Sequence, residues 1–189
     1  MKKITLIRHA KVDIQNAPRI YAQALSTWVN SYDTAEICSK SHPSQAVIHH
    51  AKDADIVLCS SLKRSHDSAM VLGVAVHEHN SLFDEVPIPH LQVSMVKLKP
   101  KTWLVILRLL LSTRLSIGGH SLQNVTKKAK KTASYLAQLS TYHDNIALVG
   151  HGGMNWLTHK ALLQQGWKLE GKVSHKNWGT ITLINTKVP

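Results

Sequence analysis

Two histidines stand directly after short apolar segments, among residues that suit the binding of an anion. His9 follows Ile4–Ile7 and is preceded by Arg8, whereas His151 follows Ile146–Val149 and lies among three glycines. Arginine presents a planar fork of donors that matches phosphate oxygens, and it stays charged. A neutral imidazole is a nucleophile that can form a covalent intermediate. Together these residue types favour the binding of an anion beside a histidine that can act as a nucleophile.

Both apolar segments have the length and composition of strands buried in a parallel sheet. In open α/β sheets, the ligand binds just beyond the carboxyl ends of the strands. We therefore expect His9 and His151 to meet at that edge. Either histidine, considered alone, is also consistent with an ordinary loop residue.

The rest of the chain alternates between strand and helix patterns, which predicts an α/β fold. Ala54–Ser60 has the composition of a second strand, and Ser60 and Ser61 are expected to cap the helix after it. The interval Val86–Lys101 contains three prolines and is expected to be irregular. The other predicted elements are an amphipathic helix from Tyr21 to about Lys40, a helix from Leu62 to near Gly73, a short strand within Val74–Phe83, helices at Trp103–Thr113, Leu122–Leu139 and Met154–Gly166, and a strand at Thr180–Ile184.

Length and charge limit the classes of protein to be considered. A chain of 189 residues fits a single domain with a well-buried core, and we assign one domain to residues 1–189. Lys and Arg number 23 against 11 Asp and Glu, a formal net charge of +12 that attracts polyanions or phosphorylated small molecules. Cys38 and Cys59 are too few for a disulfide framework, which favours a reducing compartment.

The apolar segments are too short for a signal peptide or a membrane span. Near the amino terminus, Ile4–Ile7 is shorter than the apolar core of a signal peptide, and Arg8 ends it. The longest apolar run, Trp103–Leu111, contains Arg108 and is far short of the ~20 residues that cross a bilayer. We expect a soluble, cytoplasmic protein with no membrane partner.

Four motifs occur in the order found in a known family. Leu6–Ala10 is similar to a strand followed by Arg-His-Gly, with alanine for glycine, and Ser60–Ala69 resembles the helix motif Ser-x-Leu-x-Arg-Ala-x-x-Thr-Ala. Phe83–Glu85 is similar to an acidic residue after a Leu/Phe-Arg pair, and Val149–Gly153 to a strand before Gly/Ser-His-Gly-Gly. The chain thus resembles the histidine phosphatase (phosphoglycerate mutase-like) superfamily. The resemblance implies a three-layer α/β/α sandwich with a mostly parallel central sheet and a helical lid insertion at about residues 86–120.

The resemblance also implies which residues bind and attack the phosphoryl group. It makes His9 the nucleophile, with Arg8 and Arg64 holding the phosphoryl oxygens. Asn16 and Gly152 join the two arginines as substrate-binding residues. Such roles suit the chemistry, because phosphoryl transfer depends on positioning and on fixed positive charge around three oxygens. Neighbouring cations should also lower the pKa of the attacking imidazole and keep it neutral.

Two further residues complete the implied catalytic set. His151 would stabilise the transition state, and Glu85 would protonate the leaving alcohol, as a carboxylic acid beside bound phosphate can do. Asp84 is the alternative proton donor. In the alternative structural interpretation, Glu85 is a solvated residue or a salt-bridge partner. The arginines and histidines supply the charge, so we expect no metal and no cofactor.

The chain departs from the family pattern at two positions that bear on the pocket. Ala10 stands in place of glycine, and its methyl group is expected to narrow the pocket mouth beside the nucleophile. His120 stands where relatives often have a glutamate within Gly-x-Glu-Ser. A lid contact made by that glutamate is therefore not expected here.

Three other segments have alternative interpretations. His49–His50 and His77–His79 could suggest a metal site, but no further ligand has zinc-like spacing. Lys127–Lys131 could bind nucleic acid, although a solvated helix face fits its composition better, and no nucleic-acid partner is expected. The helix at Trp103–Thr113 is expected to form an apolar pocket wall or a subunit contact.

The leading functional prediction is a metal-independent phosphatase that hydrolyses a small phosphomonoester through a phosphohistidine intermediate. A phosphomutase of the same superfamily is the first alternative, and the short segment after the last predicted strand favours hydrolysis over it. A catalytically weak anion-binding protein is the second alternative. The natural substrate and the oligomeric state stay open.

Overall fold

The computed structural model describes residues 1–14, 17–86, 95–112 and 122–186. Within them, the strands are β1 (Lys2–Arg8), β2 (Ile20–Tyr21), β3 (Ile56–Cys59), β4 (Glu78–His79), β5 (Lys97–Leu98), β6 (Asn145–Gly150), β7 (Lys168–Glu170) and β8 (Thr180–Asn185). The helices are α1 (Leu25–Thr34), α2 (Gln45–Lys52), α3 (Lys63–Leu72), α4 (Pro100–Ser112), α5 (Leu122–Leu139) and α6 (Gly152–Gln164), with short 3-10 turns at Ala22–Ala24 and Ser81–Phe83.

Six strands form the central sheet in the order β4-β3-β6-β1-β8-β7. Strands β4, β3, β6 and β1 are parallel to one another, while β8 is antiparallel to both β1 and β7. The predicted mostly parallel sheet is confirmed. The two segments that precede the histidines, β1 and β6, are neighbours at its centre.

The alternation of side chains along the central strands builds the predicted three layers. Ile4 and Leu6 of β1 point to the face covered by α5 and α6, where Leu136 and Leu162 are fully buried. Ile7 points to the opposite face, which is covered by α2 and α3. A strand apolar on both faces must be covered on both, and this burial fixes its register.

A smaller unit made of β2, β5, α1 and α4 stands beside the sheet. Strands β2 and β5 pair antiparallel, and Trp103 and Leu107 of α4 are buried with Ala22 and Leu25. The indole N–H of Trp103 donates to the carbonyl of Ile20 at 2.8 Å. Within the predicted lid insertion, β5 and α4 are thereby anchored to the segment before α1, whereas residues 87–94 and 113–120 lie outside the described residues.

Several elements differ from the sequence-based expectations. Helix α1 ends at Thr34 and not near Lys40, because the chain then turns to pair with the loop after β1, where the Cys38 N–H donates to the Lys11 carbonyl at 2.7 Å. Helix α2 and strand β7 were not predicted, since each is short. Ser60 and Ser61 do not cap α3: Leu62 is its N-cap residue, and both serines bind elsewhere.

No helix within the described ranges is long and apolar enough to cross a membrane. Cys38 and Cys59 are both free thiols, and burial raises the pKa of Cys59 to about 12, with the charge of Asp84 adding to the shift.

Candidate active site

The pairing of β1 with β6 brings the two histidines together. Arg8 and Gly150 are opposite each other in the register, and the next residue of each strand is a histidine. The N–H of His9 donates to the Gly150 carbonyl at 3.0 Å, and the rings of His9 and His151 have centroids 5.1 Å apart. The predicted meeting of the histidines at the carboxyl edge of the sheet is confirmed.

His9 is held as a neutral imidazole of defined tautomer. The residue is 3% exposed, and its Nδ1 lies 2.6 Å from the carbonyl oxygen of Ala10. Since a carbonyl oxygen only accepts hydrogen bonds, Nδ1 carries the proton and Nε2 keeps its lone pair. Burial, with the charges of Arg64 and Arg8, lowers the pKa of His9 to about 3, so the ring is neutral at physiological pH.

His151 is fully buried against two serine hydroxyls. Its Nε2 lies 2.6 Å from Oγ of Ser60 and 3.3 Å from Oγ of Ser65. Burial, and then the charge of Arg64, holds the pKa of His151 well below its usual range. When a hydroxyl donates to Nε2, the ring proton stays on Nδ1, which has no partner among the described residues. The contacts of Ser60 and Ser65 with this ring were not predicted from the sequence.

Arg8 is positioned by the loop between β7 and β8 and by the start of α6. Its Nη1 donates to the carbonyl of His175 at 2.5 Å, while its buried Nε finds no acceptor in the described part of the chain. A Cβ atom on Gly152 would lie 3.3 Å from Nε and Cζ of Arg8. The absence of a side chain at position 152 therefore allows the guanidinium to lie against the first turn of the helix.

Arg64 lies 3% exposed on α3, and α1 holds it in place. Its Nη1 forms a 2.6 Å ion pair with Oδ1 of Asp33, and its Cζ lies 5.1 Å from the ring centroid of Tyr32. As in Arg8, the buried Nε has no partner among the residues described. The role of Asp33 could be found only from the structure, because the pair joins residues 31 positions apart.

The structure gives Glu85 and Asp84 different partners. The carboxylate of Glu85 accepts from the N–H groups of Val86, Met154 and Gly153, at 3.0, 3.0 and 3.3 Å. Two of these donors belong to the first turn of α6, where N–H groups lack partners within the helix. Both oxygens of Asp84 accept from Ser61, at 2.8 and 2.7 Å.

Lys128 on α5 supports the same acidic segment from behind. Its Nζ donates to the backbone carbonyl of Asp84 at 3.0 Å, and burial lowers the pKa of this lysine. Its charge also contributes to the low pKa of His151. The lysine run on α5 is thus not a uniform solvated face, since one of its members reaches the site.

A cavity of about 430 Å³ opens over these residues. Ala10 does not line it: its side chain is fully buried beneath α2 and α3, so the expected narrowing of the pocket mouth is wrong. Leu104 and Val105 of α4 do line it, in agreement with the expected apolar wall. The lining consists of Arg8, His9, Trp28, Val29, Tyr32, Asp33, Leu62, Arg64, Asp84, Glu85, Val86, Lys101, Leu104 and Val105.

The loop between β7 and β8 contributes contacts that the sequence did not indicate. The amide of Asn177 donates to the His9 carbonyl at 3.0 Å, and the N–H of Trp178 donates to the Arg8 carbonyl at 3.1 Å. Trp178 has φ of 61°, a conformation that costs energy for a residue with a side chain and is maintained by its surroundings. Asn16, predicted to bind substrate, lies outside the described residues.

The histidines considered as metal ligands have other partners. Nδ1 of His77 accepts from the Val57 N–H at 3.1 Å, and Nδ1 of His79 lies 3.0 Å from Sγ of Cys59. His49 of α2 forms an exposed pair with Asp53, the C-cap residue of that helix. Across the described ranges, no three His, Cys, Asp or Glu side chains are grouped so that they could hold a metal ion.

Comparison with models of protein families shows to which family this chain belongs. The model of the histidine phosphatase superfamily (branch 1) matches residues 4–187, which is nearly the whole chain. The chain belongs to the histidine phosphatase superfamily. A search of curated proteins found no significant match.

Solved structures share the fold of this superfamily member at low sequence identity. A phosphoserine phosphatase mutant from Entamoeba histolytica, determined with phosphoserine, has a TM-score of 0.62 and 19% identity, covering 97% of this chain and 91% of that one. A mycobacterial glucosyl-3-phosphoglycerate phosphatase has a TM-score of 0.53 and 16% sequence identity, and the match covers 96% of this chain and 90% of that one. A putative alpha-ribazole-5′-P phosphatase from Escherichia coli has a TM-score of 0.53 and 13% sequence identity, and the match covers 98% of both chains. The similarity confirms the predicted fold class.

Proposed function

We propose that this protein is a metal-independent phosphatase that hydrolyses a small phosphomonoester through a phosphohistidine at His9. One observation carries the proposal: three buried nitrogens around His9 have no partner in the described part of the chain, namely Nε of Arg8, Nε of Arg64 and Nδ1 of His151. Buried polar groups are normally paired, so such a cluster is explained by a ligand rich in acceptors. A phosphoryl group, with three anionic oxygens, meets this requirement.

In the first step, Nε2 of His9 attacks phosphorus, the N–P bond forms, and the bond from phosphorus to the ester oxygen breaks. The two arginines bind the phosphoryl oxygens, and Nδ1 of His151 donates to one of them as charge develops. Glu85, in its protonated form, gives its proton to the departing alkoxide. Glu85 is favoured as the donor because its carboxylate accepts from Gly153 and Met154, which closely follow His151 in the chain, whereas Asp84 is bound through both oxygens to Ser61.

In the second step, the Glu85 carboxylate takes a proton from water as the water oxygen attacks phosphorus. The P–O bond forms, the N–P bond breaks, and Nε2 regains its lone pair while Nδ1 keeps its proton throughout. The low pKa of His9 serves both steps, because a neutral ring attacks readily and a weakly basic nitrogen is a good leaving group.

The names of the structural neighbours support a small phosphorylated substrate. They include phosphatases of phosphoserine, of glucosyl-3-phosphoglycerate and, putatively, of alpha-ribazole-5′-phosphate. The cavity fits this size class, since pockets for small molecules typically enclose about 300–1,000 Å³. A cytoplasmic location, the absence of a nucleic-acid partner and the single-domain assignment remain predictions.

Phosphate release with EDTA present tests this proposal. p-Nitrophenyl phosphate and a panel of phosphomonoesters are compared for wild type, His9→Ala and the exposed control His49→Ala, with thermal unfolding as a check on folding. We expect release by wild type and the control, and its loss in His9→Ala. Retention of activity in a folded His9→Ala protein would contradict the nucleophile. Isomerisation of a phosphate ester without release would identify a mutase instead.

A further inference from the structure

The cavity has a second wall that takes no part in binding the phosphoryl group. Its residues come from α1 and α4, the two helices of the smaller unit: Trp28, Val29 and Tyr32 from α1, with Leu104 and Val105 from α4. We refer to these five residues as the α1–α4 wall. A phosphoryl group alone leaves most of a cavity of about 430 Å³ empty, so this wall is available to the rest of a substrate.

The aromatic rings of the wall continue a stack that begins at the phosphate-binding arginine. The Cζ atom of Arg64 lies 5.1 Å from the centroid of the Tyr32 ring. The Tyr32 ring in turn stacks on Trp28, with centroids 5.3 Å apart and planes inclined by 26°. Planar groups are therefore already arranged in succession from the phosphoryl site outward along α1.

Helix α4 contributes an aliphatic surface to the same wall. Val105 is 57% exposed, and Leu104 is half-buried beside it. The helix is fixed from behind, because Trp103 and Leu107 are buried against α1 and the turn before it. The wall is therefore formed before any ligand binds, which reduces the ordering cost of binding.

Charged groups on this side of the cavity are few, although the buried indole N–H of Trp28 has no partner among the described residues. The carboxylate of Asp33 is engaged by Arg64, and Lys101 is the other charged side chain that α1 and α4 contribute to the described lining. A polyol or an amino acid placed against this wall would lose several hydrogen bonds to water and find few groups to replace them. A flat ring would instead gain stacking and apolar contact.

On the basis of the proposed phosphatase function, we propose that the substrate is a phosphomonoester whose alcohol carries an aromatic or heteroaromatic ring. The ring stacks on Trp28 and lies against Leu104 and Val105, while the phosphoryl group binds Arg8 and Arg64. Trp28 is thereby a specificity-determining residue.

Binding to the His9→Ala protein tests this inference without turnover. Isothermal titration compares two matched pairs: phenyl phosphate with cyclohexyl phosphate, which differ in flatness, and adenosine 5′-phosphate with ribose 5-phosphate, which differ by the base. Stacking of a base on an aromatic side chain is worth about tenfold to a hundredfold in affinity. We expect a preference of at least about tenfold for the ring-bearing member of one pair or both.

A Trp28→Leu substitution in the same background locates the ring. We expect the ratio of affinities within each preferred pair to fall toward one. Trp156→Leu is the matched control, since Trp156 is 40% exposed on α6 and does not line the cavity. The Trp156→Leu substitution should leave the ratio of affinities within each pair as it is in the His9→Ala protein.

The outcomes separate this inference from the proposed function. Equal affinities within both pairs, or a ring preference that survives Trp28→Leu, would overturn the ring site. A ring preference that depends on Trp28 supports it, even if wild type releases phosphate from none of the four esters. That absence of release would count against the hydrolase alone.

Discussion

At the scale of single residues, the site depends on keeping two buried histidines neutral between two arginines. Burial alone disfavours the imidazolium form, and the nearby guanidinium groups disfavour it further. The carbonyl of Ala10 then selects the tautomer of His9 that leaves Nε2 available. Each of these effects has a consequence that can be measured.

The low pKa of His9 predicts an acid-dependent loss of stability. In the unfolded chain this ring binds a proton near pH 6.5, whereas in the folded protein it does so only near pH 3. Below about pH 6.5 the unfolded state therefore binds more protons, and the free energy of unfolding falls as the pH falls. The contribution of His9 is about 1.4 kcal/mol per pH unit.

Urea unfolding of wild type and His9→Asn at several pH values between about 7 and 4 measures this slope. The slope should be smaller in His9→Asn than in wild type. Equal slopes in wild type and His9→Asn would show that His9 titrates normally in the folded protein.

A Glu85→Gln substitution tests the assignment of the proton donor. The rate of phenyl phosphate hydrolysis should fall by about 10²–10⁴-fold, since that is the usual contribution of general acid catalysis. The rate of p-nitrophenyl phosphate hydrolysis should fall less, because nitrophenolate leaves with little need of a proton. Steady-state rates on both esters provide the comparison. Asp84→Asn disturbs the contacts to Ser61, and hydrolysis of both esters should slow alike in that variant. The reverse pattern would transfer the role of proton donor to Asp84.

At the scale of elements, the start of α6 holds the site together. Its first turn follows His151, lies against Arg8 at Gly152 and donates N–H groups to Glu85. The two glycines after His151 are required because side chains there would meet the functional groups. A Cβ atom at position 153 would lie 2.7 Å from Oε1 of Glu85.

A Gly153→Ala substitution should therefore separate stability from activity. Alanine favours the helix over glycine by about 0.5–1 kcal/mol, so the free energy of unfolding should stay level or rise. The methyl group displaces the Glu85 carboxylate, so hydrolysis of phenyl phosphate should fall at least about tenfold, a cost typical of a misplaced catalytic group. In Gly152→Ala the closest contact is 3.3 Å, and a smaller loss is expected. Full activity of Gly153→Ala would show that Glu85 need not occupy its observed position.

At the scale of the whole molecule, the net charge of +12 surrounds an anion-binding cavity. Such a field raises the encounter rate with anionic substrates and is screened over about 10 Å at 0.1 M salt. We expect kcat/KM for phenyl phosphate to fall several-fold between about 20 and 300 mM KCl. Replacing the exposed Lys127, Lys130 and Lys131 by Gln should flatten this dependence, whereas competition by chloride at the arginines would leave it unchanged.

Features set by residues close together in the sequence could be predicted, whereas contacts between distant segments could not. The strands that end at Arg8 and Gly150 were predicted because buried parallel strands have a recognisable local composition, and their pairing brought His9 and His151 together. The family motifs supplied Arg64 and Glu85. The partners of these residues could not be predicted, because contacts such as that of Arg64 with Asp33 arise from the packing of separate elements.

Contacts from the far end of the chain were beyond prediction for the same reason. Asn177 and Trp178 reach the His9 loop across more than half of the sequence, and no local pattern indicates this. Ala10 shows the converse error: its place beside the nucleophile suggested the cavity, but the side chain points into the core beneath α2 and α3.

The most direct test of the account is the detection of the covalent intermediate. Wild type is mixed rapidly with excess p-nitrophenyl phosphate, quenched in alkali, which preserves phosphohistidine, and digested for mass spectrometry. We predict a phosphoryl group on His9 that is absent from His9→Ala and disappears as substrate is exhausted. Turnover without phosphorylation of His9, or phosphorylation at another residue, would contradict the account.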